Sequence, residues 1–502
     1  DGFKDWITPK ILAPVVVVAT LLAVPTVMAV QNWDDHDRSN RFTANSSAKA
    51  YLDSCQEDVG AILFTIGDND TFPIWYAQEI EHYRTDVRIV CTSLFETDWY
   101  VDQMKAAAYE SAPIPSQITH EKYRWGSRDV LYHQGITENR WPIKDFINWI
   151  DSDKPRTKLK YLFEQNGADL SQYSEDTQNI VYYPTNKIRV PVNKQNVLSS
   201  GLVKEKDADL IVDYIDIDLP GAITKKSMMM LDILANNDWK RPLYFSGGSF
   251  DDAEYLWMKD YLQLDGLAYK LVPIRTERPN AFELGRIDTD LMYDIVTGWD
   301  WGNSGGDIYH DTQTRIQSVS FRGNLARLTE GLIKENKMDK AKDIIEISLT
   351  NMPVDKFGYY TLVEPFIDGY YKVGESNKAR ELFEKLKKKY QERLEYYAST
   401  SLDEQYNNID DIIADMEAYR RNIDIVITND SEDIAEKETL IFNEYIDKFQ
   451  HFYKDEDDMG MPQDVLDSNP DMMDTMPISD TILPDNTKTD ILEDTIDIST
   501  QQ

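Results

Sequence analysis

The chain has 502 residues, of which 41% are hydrophobic and 11% aromatic, so it has room for roughly two to four domains with sizeable cores. Its formal net charge is −36, and no basic stretch offers a footprint for phosphates, which argues against nucleic-acid binding. Acidic residues are concentrated at the C-terminus, where residues 455–502 contain 14 Asp and Glu but a single lysine.

Residues 11–30 form an uncharged, apolar run of 20 residues, which is about the length that crosses ~30 Å of hydrocarbon as a helix. We predict a transmembrane helix within residues 1–31, followed at the membrane surface by Trp33. A signal peptide and a buried core helix are the alternatives. Because the first residue is Asp and not Met, we expect the chain to be processed or to be a piece of a longer protein.

The next segment has the pattern of a strand, a turn and a helix. Residues 61–66 are almost continuously apolar, as in a strand that is covered on both faces of a parallel sheet. Thr71 is expected to cap a helix over 74–83, with Pro73 in its first turn. A second apolar strand follows at 86–94, so the segment predicts a βαβ unit.

Polar residues follow both strands of this unit. Asp68, Asn69 and Asp70 come after the first strand, and Asp98 and Trp99 come just beyond the second. Ligands of parallel sheets bind beyond the carboxyl ends of the strands, so we predict a ligand-binding site at these five residues. The alternative is that the acidic residues only build turns and cap helices. The pattern predicts no catalytic group and no metal site.

We predict an α/β domain with a mostly parallel sheet over residues 32–310. Further strands are expected at 188–192, 210–217, 242–246 and 268–274, and further helices at 46–54, 97–109, 143–150, 225–235 and 251–262.

The periodicity becomes helical beyond this domain. Four amphipathic segments at 324–336, 339–349, 360–372 and 377–388 pair into two hairpins, and the surroundings of Ala341 and Ala379 repeat with a spacing of 38 residues. This is close to the tetratricopeptide period of 34, so we predict a tetratricopeptide-like helical-repeat domain over 320–453. The acidic tail at 454–502, rich in Asp, Thr and Pro, is expected to be disordered.

Two residue types leave alternatives open. Cys55 and Cys91 occur without metal-site spacing, and two buried free thiols are favoured over a disulfide. Tryptophans are frequent enough to form a carbohydrate-stacking platform, although aromatic core is the commoner use; the relevant ones are Trp75, Trp99, Trp125, Trp141, Trp149 and Trp257.

The chain resembles a known family at several motifs. These are NWDDHDR at 32–38, FTIGDNDTFP at 64–73, TDWY at 97–100 and WKRPLYF at 239–245. They resemble the region after the last membrane span in a large Bacteroidetes family that is known as domain of unknown function 2723 and is similar to protein O-mannosyltransferase-like enzymes. The resemblance implies a multi-spanning GT-C type glycosyltransferase that uses a lipid-linked sugar. Its catalytic carboxylate would lie near N-terminal spans that are not in this sequence.

The tail carries a second resemblance. Asp, Thr and an apolar residue follow one another at 474–476, 480–482 and 494–496, which is similar to the acceptor motif of the general O-glycosylation system of Bacteroidetes-type periplasms. We therefore expect Thr475, Thr481 and Thr495 to be candidates for glycosylation.

The leading hypothesis is that the chain is the exported C-terminal region of a membrane glycosyltransferase-like protein and holds an acceptor polypeptide. It would lie in the inner membrane with its bulk in the periplasm. Its partners would be the lipid bilayer, an acceptor or partner protein and, through the missing N-terminal part, a lipid-linked sugar; no cofactor is predicted. The alternative is a non-enzymatic, membrane-anchored scaffold with helical repeats. A third hypothesis is a metal-dependent enzyme using Asp68, Asp70 and Asp98.

Overall fold

A computed structural model describes residues 9–247, 255, 257–277 and 283–453 of the chain. The predicted acidic tail and the candidate glycosylation sites Thr475, Thr481 and Thr495 lie outside these residues, as do residues 251–254 and 256 of the predicted helix at 251–262.

Helix α1 (Pro9–His36) contains the apolar run and continues through two internal prolines, Pro14 and Pro25. Its segment Leu12–Trp33 has a mean hydropathy of 2.3, and none of the tested window is buried against the rest of the protein. The prediction of an apolar helix is confirmed, and the alternative of a core helix is excluded by this exposure. The length and composition fit both a membrane anchor and a signal sequence.

A region that contains both strands and helices follows. Its strands are β1 (Ile62–Thr65), β2 (Arg88–Cys91), β3 (Val130–His133), β4 (Trp141–Pro142), β5 (Tyr182–Tyr183), β6 (Lys187–Pro191), β7 (Tyr214–Asp218), β8 (Ala222–Thr224), β9 (Leu243–Phe245), β10 (Leu262–Asp265) and β11 (Ala268–Leu271). Its helices are α2 (Thr43–Asp53), α3 (Asp68–Glu79), α4 (Asp98–Met104), α5 (His120–Tyr123), α6 (Ile143–Ile150), α7 (Leu159–Gln165), α8 (Glu175–Asn179), α9 (Lys194–Ser199), α10 (Lys225–Asn237) and α11 (Thr289–Thr297).

The largest sheet has the strand order β10-β11-β9-β1-β2. Strand β1 lies inside it, pairs in parallel with β2 and β9, and is buried at every residue, as its apolar sequence predicts. The predicted βαβ unit is therefore present as β1, α3 and β2. Cys55 and Cys91 are both buried and free, and burial raises the pKa of the Cys55 thiol.

The prediction of a mostly parallel sheet is wrong. Two smaller sheets, β5-β3-β8 and β4-β6-β7, accompany the large one, and all three sheets mix parallel and antiparallel pairs. In the large sheet, only two residues separate β10 from β11, and Gly266 turns the chain with a φ of +62°. A connection this short permits only antiparallel pairing of β10 with β11. Strand β10 begins at Leu262, where the end of a helix was expected.

The C-terminal region is helical, as predicted. Its helices are α12 (Thr312–Lys334), α13 (Met338–Asn351), α14 (Val354–Phe357), α15 (Glu364–Lys372), α16 (Ser376–Ser399), α17 (Leu402–Asn407), α18 (Ile409–Asn429) and α19 (Glu432–Lys448). Helix α12 packs on α13, and α15 packs on α16. Ala341 and Ala379 are fully buried in α13 and α16, which fits a small residue where helices cross closely.

Helix α12 joins the helical region to the sheets. Asn324 donates to the Gly266 carbonyl at 3.0 Å, and Arg327 donates to the carbonyls of Leu284 and Gly285 at 2.7 and 2.9 Å. Each of these carbonyls belongs to a turn or loop and would otherwise lack a partner at this contact. The two regions therefore meet through specific hydrogen bonds as well as through apolar packing.

Gly266 tests the tight packing of the β10–β11 turn. A Cβ atom there would lie 2.5 Å from Ser54 Oγ and 2.9 Å from the Trp299 ring. We expect Gly266→Ala to lower the free energy of unfolding by about 2–4 kcal/mol, because a clash adds to the strain of a positive φ. Gly126→Ala is the matched control, since Gly126 has a φ of +75° and nothing within 4 Å of the added atom. Urea denaturation should show a loss of about 1 kcal/mol for this control. Equal losses in the two variants would contradict the tight fit.

Asp288 makes the stability of the protein depend on pH. Burial alone would raise the pKa of Asp288, but hydrogen bonds from Lys204 and the Leu291 N–H, with the charge of Lys206, lower it to about 2. Because the folded pKa lies below the unfolded one, the stabilisation is present above pH ~4 and is lost as the pH falls towards 2. We expect Asp288→Asn to melt at a lower temperature than the wild type at pH 7. The difference should shrink between pH 4 and pH 2, and a constant difference in melting temperature would contradict this assignment.

Candidate functional site

The predicted acidic turn is the first turn of helix α3. Gly67 is the N-cap residue, and Asp68, Asn69 and Asp70 follow it, so the helix begins well before the predicted residue 74. The prediction that Thr71 caps this helix is wrong. Its buried hydroxyl instead lies 2.7 Å from the hydroxyl of Thr65.

Asp70 has a structural role at this turn. Its carboxylate accepts the backbone N–H groups of Ile66 and Gly67, both at 3.0 Å, and the hydroxyl of Ser246 at 2.5 Å. Ser246 directly follows β9, so Asp70 ties together the ends of β1 and β9 and the start of α3. Of the two interpretations of this residue, the contacts favour helix capping over ligand binding.

Asn69 faces helix α12. Pro73 lies inside α3, not in its first turn as predicted, and it has no N–H to donate to the Asn69 carbonyl four residues before it. The side chain of Gln317 donates to that carbonyl at 3.2 Å instead. The Asn69 amide in turn donates to Gln313 at 3.2 Å. The turn therefore docks on the helical region.

Asp98 begins helix α4. Its carboxylate accepts the backbone N–H of Trp99 at 2.8 Å and that of Trp125 at 3.2 Å. The hydrogen bond from Trp125 is the main reason that the pKa of Asp98 lies below its usual value. The carboxylate thus holds a distant loop against the start of α4.

The carboxylates do not assemble into a metal site. Within the described residues, no group of three or more His, Cys, Asp or Glu side chains is placed to hold a metal ion. Asp68 is exposed, and among those same residues it makes no hydrogen bond or ion pair with a side chain. The five predicted residues therefore have separate contacts, and Trp99 is the one that faces a cleft.

This cleft lies between α3, β2 and the segment that follows α4. It has a volume of about 920 Å³, including its open side. We call it the aromatic cleft and define it by Trp75, Arg88, Trp99, Gln103, Tyr109 and Ser111. Trp99 and Tyr109 are about half exposed, at 55% and 54%, so their rings are available to a ligand.

Strand β2 is the edge of the large sheet, but Tyr100 covers that edge. The Tyr100 hydroxyl accepts the Cys91 N–H at 2.9 Å and donates to the Ile89 carbonyl at 3.3 Å. A peptide cannot simply extend the sheet where these groups are occupied. Recognition in the aromatic cleft must therefore depend on side chains.

Two buried polar side chains in the cleft have unused hydrogen-bonding atoms. Arg88 donates through Nη2 to the carbonyls of Ala106 and Ser111, both at 2.9 Å, whereas its Nε has no partner within the described residues. The Ser111 hydroxyl also has none there. Burial lowers the pKa of Arg88. Both unused atoms are inaccessible to solvent, so a ligand in the cleft would meet the exposed side chains of Trp99, Gln103 and Tyr109 instead.

Sequence reasoning missed Arg88, Gln103, Tyr109 and Ser111 as members of a site. One signal was present, since Arg88 is a charged residue inside a predicted buried strand, and such residues need a specific partner. The others come from an irregular segment, and only the folded chain brings them to Trp75 and Trp99.

The fold and cleft define a protein with an apolar helix, a mixed-sheet region that carries the cleft, and a helical region. Residues 44–291 match a family model described as TMEM260-associated domain 2. The match runs from α2 into α11 and includes the whole aromatic cleft, but not helix α1 or the helical region. No curated protein and no solved structure matches the chain.

The assigned role of Asp70 can be tested by stability. We expect Asp70→Ala to lower the free energy of unfolding by about 1–2 kcal/mol, because two backbone N–H groups and the Ser246 hydroxyl lose their acceptor. Asp68→Ala is the matched control in the same helical turn and should cost about 0.5 kcal/mol or less. Chemical denaturation measures both. If Asp68→Ala were the more destabilising variant, the capping assignment would be wrong.

Proposed function

We propose that the chain is the C-terminal, exported region of a membrane glycosyltransferase-like protein and that its aromatic cleft holds the acceptor polypeptide. The observation that carries the proposal is the pre-formed cleft, which is lined by Trp75 and by the half-exposed rings of Trp99 and Tyr109. The glycosyltransferase class itself comes from the sequence resemblance, with the catalytic centre in a part of the protein outside this chain.

The position of α1 supports a membrane-proximal site. Helix α1 ends at His36 and α2 begins at Thr43, so only a short link separates the exposed apolar helix from the folded body. This link is attached to that body, because Asn303 donates to the Asn40 carbonyl at 2.8 Å and accepts the Phe42 N–H at 3.3 Å. With α1 as an anchor in the inner membrane, the sheets would lie close to the bilayer in the periplasm.

The chemistry of the aromatic cleft suits an extended polypeptide. Aromatic faces bind apolar and proline side chains, and the exposed amide of Gln103 can form hydrogen bonds with a peptide backbone. Because Tyr100 occupies the edge of β2, the acceptor would be read through its side chains and single carbonyls and not by strand addition. Acceptor binding would leave the sheet unchanged.

One observation favours the alternative of a non-enzymatic scaffold. Hairpins α12–α13 and α15–α16 each bury an equivalent alanine, and α18 and α19 continue the helical packing. In the scaffold hypothesis these hairpins are tetratricopeptide-like repeats, which would present a surface to partner proteins. In this case the protein would position envelope proteins without modifying them.

The two functions separate in a transfer assay on the complete membrane protein. We expect Trp99→Ala to raise the acceptor KM about tenfold with little change in kcat, because the ring contacts the acceptor and not the reacting atoms. Trp125→Ala is the matched control, since Trp125 is 81% exposed and lies outside the cleft. The intact mass of the acceptor reports transfer.

Two results would contradict the proposal. If cells that lack the complete protein keep the glycan masses of all envelope proteins, the transferase function is wrong and the scaffold is favoured. If transfer occurs but Trp99→Ala and Trp125→Ala have equal acceptor KM values, the transferase function stands and the aromatic cleft is not the acceptor site.

A further inference from the structure

A second cleft lies beside another short edge strand. It is bordered by β4, which is the edge of the sheet β4-β6-β7, by helix α6 and by the loop at 151–157. Its volume is about 930 Å³, including the open side. We call it the tryptophan cleft and define it by Trp141, Asp145, Asn148, Trp149, Lys154 and Arg156.

Buried side chains hold the loop at 151–157 in place. The guanidinium of Arg128, whose side chain is 2% exposed, donates to the Ile150 carbonyl at 2.6 Å and to the Asp153 carboxylate at 2.8 Å. The buried hydroxyl of Thr157 donates to the carbonyls of Ser152 and Lys154, both at 2.9 Å. A ligand would therefore meet a pre-formed loop and would lose little affinity to ordering it.

The aromatic wall is also fixed. The Trp149 indole N–H donates to the Tyr182 carbonyl at 2.7 Å, and the Trp141 ring meets Trp149 edge-on, with 5.6 Å between centroids. Both tryptophans are only partly buried. The guanidinium of Arg156 lies 5.5 Å from the Trp149 ring centroid. The wall thus combines an apolar face with a positive charge.

Two cations of this cleft have no acidic partner. Nearby, Lys122, Arg128 and Lys158 all pair with Asp153, whereas neither Lys154 nor Arg156 forms an ion pair within the described part of the chain. An anionic group in the cleft would find both cations available.

The remaining polar side chains narrow the class of ligand. The Asp145 carboxylate accepts hydrogen bonds, and its charge disfavours a polyanionic peptide. The side-chain amide of Gln117 donates to the side-chain oxygen of Asn148 at 3.0 Å. The Asn148 amide nitrogen is then the group that remains for a ligand. A hydroxylated ring with one acidic group fits this set better than a chain of carboxylates does.

We propose that the tryptophan cleft binds a single acidic sugar residue, with its ring on Trp141 and Trp149 and its carboxylate at Lys154 and Arg156. Asp145 and Asn148 bind the ring hydroxyls. This site is separate from the aromatic cleft, and its ligand need not be the substrate of any transfer reaction.

Calorimetry on the full chain in lipid nanodiscs tests the proposal with a matched pair of probes, methyl β-D-glucuronide and methyl β-D-glucoside. We expect the glucuronide to bind about tenfold more tightly, because only it carries the carboxylate. Arg156→Gln should remove most of that preference, and Trp141→Ala should weaken both probes. Lys160→Gln is the charge control, since Lys160 is an exposed residue in α7 outside the cleft, and it should bind like the wild type.

Circular dichroism of each variant establishes that it is folded. Equal affinity for the two probes, no binding of either, or an unchanged glucuronide affinity in folded Arg156→Gln would each overturn the proposal. Poly-L-glutamate is a third probe. If it binds in an Arg156-dependent manner while the glucuronide does not, the cleft recognises acidic polypeptide and the sugar assignment is wrong.

Discussion

The architecture depends on hydrogen bonds that α12 gives to backbone carbonyls of the sheet-containing region. Gln317, Asn324 and Arg327 lie along this helix and reach the carbonyls of Asn69, Gly266, Leu284 and Gly285. The carbonyl of Asn69 lacks an intrahelical donor because of Pro73, and the other three belong to turns and loops. Because buried carbonyls without partners are costly, the contacts with Gly266, Leu284 and Gly285 fix where the helical region sits, and the contact with Asn69 is made at the exposed side of the junction.

This junction also positions the aromatic cleft. Asp70 fixes the first turn of α3 from the side of the sheet, and α12 fixes it from the other side through Asn69. Trp75 lies one and a half turns further along the same helix. Trp99 is placed independently, because the Asp98 carboxylate in the first turn of α4 accepts the N–H groups of Trp99 and Trp125. Both walls of the cleft are therefore set by hydrogen bonds at helix starts, and Asp70 and Asp98, which were predicted to bind a ligand, have structural roles.

Local sequence patterns predicted the helices and strands well where the spacing of apolar residues itself decides the secondary structure. The apolar run of β1, the amphipathic helix α6 and the paired helices of the C-terminal region all followed from periodicity. The start of α3 and the β10–β11 hairpin did not. Asp70 accepts the N–H of Gly67 from three residues away, which is a local capping box that the sequence analysis missed, whereas its hydrogen bond from Ser246 depends on the folded chain. A helix over 251–262 is as compatible with local composition as the strand that begins at Leu262. The cleft was found in part through Trp99, but Arg88 and Ser111 join it through contacts that are distant in sequence.

The edge strands beside the two clefts are poorly suited to pairing with an added strand. An exposed strand edge invites pairing with any extended chain, which offers little selectivity. Here the hydroxyl of Tyr100 occupies the edge of β2, and β4 is only two residues long, so neither edge offers a ladder of free backbone groups. What remains at each edge is a group of aromatic rings with a small number of polar side chains. Selectivity must then come from those side chains: the exposed Gln103 amide suits a neutral peptide group, whereas an anion suits Lys154 and Arg156, which form no ion pair within the described residues. Because the charge of the two sets differs, the same ligand cannot be optimal for both clefts.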